Sequence, residues 1–235
     1  MTISVPSATQ LYLLSVASTR RHLPLCALIA TKVWIGCGLR PLSPSREWAG
    51  ARMTEFPDWF SAYAKPNFEK FLIPLASQDN LTFLQLGAYT GDASLWMLDN
   101  IDSLVLIDVD TWQGSDEEVH KSIDFFNVDR AYDEKIKGRT IKQKMTSFQY
   151  LLNAYFFFDF VYVDADHTAA SALLDAELSW RLLKSGCIMA FDDYEWGAHL
   201  PASKSPKLGI DLFLERHAGE YELLESGLQI WIRKI

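Results

Sequence analysis

The residues of this chain that could do chemistry are mostly acids, and they recur just after short apolar runs. Asp108-Val109-Asp110-Thr111-Trp112 follows one run, Asp164-Ala165-Asp166-His167 a second, and Asp192-Asp193-Tyr194 a third. Carboxylates gathered on one rim repel unless a cation sits among them. Asp164 with the pair Asp192 and Asp193 makes an oxygen-rich set suited to Mg²⁺, Mn²⁺ or Ca²⁺, whereas zinc prefers nitrogen and sulfur donors. His167 stands three residues beyond Asp164. An ordinary imidazole, with a pKa near ~6.5, can take a proton from a hydroxyl polarised by such a cation. The competing assignment for His167 is a structural hydrogen bond at a helix start.

A second constellation is Leu84-Gln85-Leu86-Gly87-Ala88-Tyr89-Thr90-Gly91-Asp92, which reads as strand, glycine turn, helix. Without a Cβ, Gly87 and Gly91 permit positive φ and close approach of a cofactor, while free N–H groups of the helix start face it. An ordinary βα turn would have the same spacing. Asp110 lies about twenty residues past the turn, where an acid can accept hydrogen bonds from a ribose diol; Asp108 is the alternative.

These residues need a frame that brings strand ends together, and the intervening sequence supplies one. Apolar runs at Leu81–Leu86, Leu104–Val109, Thr140–Met145, Phe158–Val163 and Cys187–Phe191 read as strands. Helical patterns at Ala93–Leu98, Glu117–Asn127, Phe148–Ala154, Ala169–Leu183 and Ile210–His217 separate or follow them. Repeated βα units with apolar strands predict a parallel sheet covered on both faces. The ending differs: Tyr221–Leu224 and Leu228–Ile232, joined by Glu225-Ser226-Gly227, predict an antiparallel hairpin. Trp59–Leu75, aromatic and interrupted by prolines, is expected to form a helical cap within residues 53–80.

Composition narrows the partners. Residues 1–52 carry six Lys/Arg and one Asp/Glu, a balance of +5; residues 53–235 carry the other sixteen and twenty-nine, a balance of −13, and the two sum to −8. An acidic domain argues against nucleic acid as the main partner, because neutralising phosphates takes a basic face. No apolar run reaches the roughly 18 residues of a membrane span. Cys26, Cys37 and Cys187 form neither a metal-ligand spacing nor a disulfide framework, so a reducing, cytoplasmic compartment is the expectation. Residues 1–52 lack sustained periodicity. They are expected to be a weakly structured extension, either translated upstream of a functional start at Met53, a targeting leader, or an amphipathic appendage, the first being preferred.

Residues 53–235 resemble class I S-adenosylmethionine-dependent methyltransferases. Within that class they are similar to bacterial metal-dependent sugar O-methyltransferases and to the catechol and caffeoyl-CoA O-methyltransferases. The resemblance is carried by Phe160-Val161-Tyr162-Val163-Asp164-Ala165-Asp166-His167-Thr168, by Leu182-Leu183-Lys184-Ser185-Gly186-Cys187-Ile188-Met189-Ala190-Phe191-Asp192-Asp193-Tyr194, by Asp110-Thr111-Trp112-Gln113-Gly114 and by Leu86-Gly87-Ala88-Tyr89-Thr90-Gly91. It implies a three-layer, Rossmann-like α/β sheet, mostly parallel, closed by the antiparallel hairpin. It also implies that Gly87, Ala88, Tyr89 and Gly91 wrap the methionine end of the cofactor, that Asp110, Thr111 and Trp112 flank the ribose, and that Ser147 borders the adenine. Asp164, Asp192 and Asp193 match divalent-metal ligands, with Mg²⁺ the expected ion and Asp164 also near the cofactor, and His167 matches a general base. Two positions depart from the pattern. Gln85 replaces an acid that helps hold the cofactor's amino group, so that contact is weakened or moved to another residue, and Gly186-Cys187 replaces Gly-Gly.

The expected reaction is transfer of a methyl group from S-adenosylmethionine to a hydroxyl of a sugar or other polyhydroxylated small molecule. Tyr194, Trp196 and Trp112 are the candidate walls of the acceptor pocket. Two alternatives stay open, a nicotinamide-dependent oxidoreductase and a non-catalytic cofactor-binding protein, and so does homo-oligomeric assembly.

Overall fold

The computed structural model describes residues 56–235. The expected extension at 1–52 and the boundary at Met53 lie outside the described residues. Five strands run parallel: β1 (Leu81–Leu86), β2 (Leu104–Asp110), β3 (Ile141–Lys144), β4 (Phe158–Val163) and β5 (Leu183–Phe191). The hairpin of β6 (Tyr221–Ser226) and β7 (Ile230–Lys234) completes a seven-stranded sheet in the order β3-β2-β1-β4-β5-β7-β6, with β7 antiparallel to β5. This is the predicted mostly parallel sheet with its antiparallel close.

Successive strand residues point to opposite faces, and both faces are apolar because both are covered. Leu84, Leu86, Val161, Val163 and Phe191 pack beneath α4 (Ser147–Asn153), α5 (Ala169–Trp180) and α6 (Pro206–Arg216) through Leu151, Ala176 and Phe213. Phe83, Leu106, Phe160 and Tyr162 face α1 (Lys65–Leu72) and α2 (Asp92–Asn100) through Phe68, Leu72 and Met97. A third cluster joins the glycine turn to α3 (Phe125–Ile136) through Ala88, Trp112, Val128 and Tyr132. The aromatic cap follows from this packing. After a π-helical turn at Phe60–Ala64, α1 buries Phe68 edge-on against Phe160, Tyr162 and Trp231 at centroid distances of 5.9, 4.9 and 5.4 Å.

Several element boundaries differ from expectation: α5 ends at Trp180 rather than Leu183, α6 starts at Pro206 rather than Ile210, and β6 runs on through Glu225 and Ser226 of the expected turn. Glu117–Asn127 is not one helix. A short 3₁₀ turn at Glu118–Ser122 ends, and the chain restarts as α3 where the Asp124 carboxylate accepts the Phe126 N–H. A side chain that satisfies an orphan N–H favours a helix start at that point. Strand β5 begins at Leu183, not Cys187, because Leu182 and Leu183 continue the core after α5 has ended at Trp180.

The order of strands reverses between β1 and β4: β2 and β3 follow on one side, β5 on the other. At such a switch point the connections diverge and leave a crevice beyond the carboxyl ends of the strands. Gly87 ends β1 there and Asp164 ends β4, with the Asp164 N–H donating to the Leu86 carbonyl at 2.9 Å.

Candidate active site

The turn after β1 is set by its own packing. Gly87 has φ +85°, and a Cβ there would lie 1.7 Å from the carbonyl oxygen of Asp164. Gly91 has φ +81° and caps α2, and a Cβ would press on the Tyr132 and Ile136 side chains. Both glycines are therefore required by neighbouring protein atoms as well as by any ligand. Asp110 braces the same turn. One carboxylate oxygen accepts the N–H groups of Ala88 and Tyr89 at 2.8 and 2.9 Å, and the other accepts Trp112 N–H at 2.7 Å. Asp108, the alternative ribose acid, is fully buried on the Tyr132 hydroxyl, and burial pushes its carboxyl up to about 6.

A pocket of about 60 Å³ lies against the turn, roofed by Trp59 and Phe60 and lined by Gln85, Gly87, Ala88, Tyr89, Asp92, Tyr162, Asp164 and Asp192. Tyr89 sits in the left-handed region at φ +47° and stacks its ring on Trp59 at 4.8 Å. Its hydroxyl is buried without a partner among the described residues, and burial raises it to about 12. Gln85 turns inward: its amide donates to the Gly87 carbonyl at 2.9 Å, and its oxygen accepts from Ser94 at 3.2 Å.

Beside the pocket, Asp164, His167 and Asp193 bring one ligand atom each within 4.8 Å of one another, a set that fits a cation. His167 Nε2 is 3.1 Å from Asp193 Oδ2 and 3.7 Å from Asp164 Oδ1, while Nδ1 is 3.1 Å from Glu117 Oε1. These are ion-pair contacts, and among the described residues neither ring nitrogen has an aligned hydrogen-bond partner. Burial alone would push the imidazole down, but the carboxylates of Asp164, Glu117 and Asp193 outweigh it and hold it well above its ordinary range. Asp193 is pushed up to about 6, first by burial and then by Asp192, against the pull of His167.

The structure sets several of the expected residues apart from this cluster. Asp192 does not join the cation set. Its oxygens accept from the Tyr162 hydroxyl and, at 2.9 Å, from the Gln229 amide, and they face the pocket. The cause is local: Asp193 takes φ +55°, so the two adjacent acids point to different sites. Trp112 is buried against Tyr132, with its indole N–H on the Tyr89 carbonyl, so it walls no acceptor pocket. Tyr194 donates to Asp211 on α6 and lies under Lys207. Of the three aromatic candidates, Trp196 alone meets the site, 4.9 Å from the His167 ring. Asp110, Thr111, Trp112 and Ser147 lie outside the pocket lining. Sequence reasoning missed Glu117, Tyr162 and Gln229. The run Asp116-Glu117-Glu118 offered a faint signal for the first, and nothing marked Gln229.

Residues 84–194 match the model described as a methyltransferase domain. Those 111 residues, just under half of the 235, are similar to a methyltransferase domain. An uncharacterized mimivirus protein of Acanthamoeba polyphaga mimivirus, R132, is 26% identical over 120 residues, 50% of this chain and 53% of that protein. The chain thus spans about half the length of the curated relative it matches. A candidate O-methyltransferase from Klebsiella pneumoniae superposes with a TM-score of 0.56 at 16% identity, over 76% of this chain and 83% of that one. The MycE methyltransferase of the mycinamycin biosynthetic pathway, in complex with Mg and S-adenosylhomocysteine, superposes at 0.51 with 14% identity, over 77% of this chain and 51% of that one. At such identities these two structures share the fold alone.

Proposed function

We propose that this methyltransferase acts on a hydroxyl oxygen of a sugar or another polyhydroxylated small molecule, with a divalent cation, Mg²⁺ by expectation, in the site. The observation that carries this reading is the meeting of Asp164, His167 and Asp193 within 4.8 Å at the edge of the glycine-turn pocket. A cation held by Asp164 and Asp193 would supply Lewis acidity toward the acceptor hydroxyl. Adjacent hydroxyls, as on a sugar, suit such an ion. His167 keeps Nδ1 on Glu117, which selects the ring orientation and leaves Nε2 to accept the hydroxyl proton once its contact with Asp193 is displaced. The glycine turn and Tyr89 would hold the cofactor beside the acceptor, and such positioning would supply much of the acceleration.

The acidic balance of residues 53–235 favours a small-molecule acceptor over nucleic acid. Among the described residues no helix is long and apolar enough to cross a membrane, consistent with an acceptor met in water. A nicotinamide-dependent oxidoreductase is disfavoured by the antiparallel β7 beside β5, where dinucleotide-binding sheets continue with parallel units.

The test is direct. The protein is incubated with S-adenosylmethionine and a cell extract, and metabolites heavier by one methyl group are sought by mass spectrometry, with and without chelator and with Asp164→Asn. Methylation abolished by both treatments is expected. Methylation that survives both would remove the cation from the reaction, and tight NAD binding without S-adenosylhomocysteine binding would overturn the assignment altogether.

A further inference from the structure

Three acids line the cofactor pocket: Asp92, Asp164 and Asp192. Asp92 is neutralised, with Lys135 at 2.6 Å from Oδ1 and the Thr90 hydroxyl on Oδ2. Asp164 faces His167, 3.7 Å from Nε2. Asp192 differs from both. Its partners are the Tyr162 hydroxyl and the Gln229 amide, both neutral donors, and among the described residues no cationic side chain pairs with it. Its negative charge is thus oriented yet uncompensated.

The orientation is built from deep in the fold. Tyr162 and Gln229 are both about 1% exposed. Gln229 Oε1 accepts from Asn67 of α1 and from the Trp231 indole, each at 2.9 Å, which leaves its N–H groups aimed at Asp192 and Tyr162. A buried amide with every group engaged has one orientation. Gln85, at the position where an acid was expected, is neutral and spends its amide on the Gly87 carbonyl and its oxygen on Ser94.

We propose that Asp192 binds the ammonium of the cofactor's methionine moiety and not the divalent ion, so that the neighbouring acids divide the work: Asp192 for the donor, Asp193 for the cation and acceptor. A carboxylate fixed by neutral donors in a partly enclosed pocket is the partner an ammonium requires, since a charge-assisted hydrogen bond replaces lost hydration. The assignment also explains how the pocket manages with Gln85. It rests on the cofactor half of the proposed function and is independent of the cation.

Calorimetry with S-adenosylhomocysteine, which carries the ammonium, and 5′-methylthioadenosine, which lacks it, tests the proposal on the full chain. Asp192→Asn is expected to weaken S-adenosylhomocysteine by about ten- to hundredfold and to leave methylthioadenosine unchanged. Mn²⁺ binding, read by electron paramagnetic resonance, should be retained in Asp192→Asn and lost in Asp193→Asn. Gln229→Leu, which leaves the carboxylate in place with the Tyr162 hydroxyl alone to orient it, should show a smaller loss confined to the same ligand. Equal weakening of both nucleosides, or loss of Mn²⁺ with unchanged S-adenosylhomocysteine affinity in Asp192→Asn, overturns the inference. Should the parent bind S-adenosylhomocysteine but no Mn²⁺, with Asp192→Asn still selective, the metal reading fails and this one stands.

Discussion

His167 shows how far a residue's chemistry depends on what surrounds it. With Glu117 on one nitrogen and Asp193 on the other, the imidazole is held well above its ordinary pKa. A base must be deprotonated to act, so the acid limb of the rate profile is expected above the range of a free histidine. Glu117→Gln removes one anion, lowers the proton affinity of the ring, and should shift that limb to lower pH. It should also reduce kcat by about ten- to hundredfold, because the ring loses the charged contact that orients it. Rates measured from pH 5 to 9 in both proteins check this; an acid limb that stays in place removes Glu117 from the mechanism.

Among the elements, α5 carries a carboxylate whose cost can be measured. Asp175 is 2% exposed, one of its oxygens has no partner among the described residues, and burial pushes it up to about 7 despite the Ser147 hydroxyl at the start of α4. The folded-state pKa is raised above the unfolded value of 3.8. The folded protein therefore binds the proton more tightly, and this stability, fully present below about pH 4, is lost as the pH rises toward 7. The loss amounts to at most about 4 kcal/mol, at 1.36 kcal/mol per unit. Asp175→Asn should flatten the dependence and raise Tm at pH 8 more than at pH 5. Thermal melts at the two values decide it, and parallel melting curves would show that the carboxyl is already relieved by solvent. The same packing bears on Ser147. Its hydroxyl meets Asp175, so its expected place beside the adenine must be shared with a structural role.

For the molecule as a whole, a ligand that binds only the folded state raises stability by mass action, about 2.7 kcal/mol at a hundredfold excess over Kd. For a domain of this size that corresponds to a Tm rise of roughly 5 to 10 °C. S-adenosylhomocysteine is expected to give such a shift and NAD none. The pocket of about 60 Å³ beneath Trp59 and Phe60 leaves little enclosed room. The π-helical segment above it is therefore expected to rearrange, and Trp59 fluorescence should change on binding, an effect absent in Trp59→Phe.

Much of this protein is legible in one dimension because period and spacing are local properties. Apolar runs of strand length, the glycines of one turn and the acids that follow each run sufficed for the mostly parallel sheet, its closing hairpin and the rim of the site. Glu117 and Gln229 were invisible because their roles arise from contacts across 50 and 37 residues, to His167 and Asp192, for which neither sequence neighbourhood holds a pattern. The parting of Asp192 from Asp193 hangs on one residue with positive φ and on donors from β4 and the β6–β7 turn. Adjacent letters in a sequence carry no side-chain direction; the backbone bend and the donors packed around it supply the direction, and only the folded chain has them.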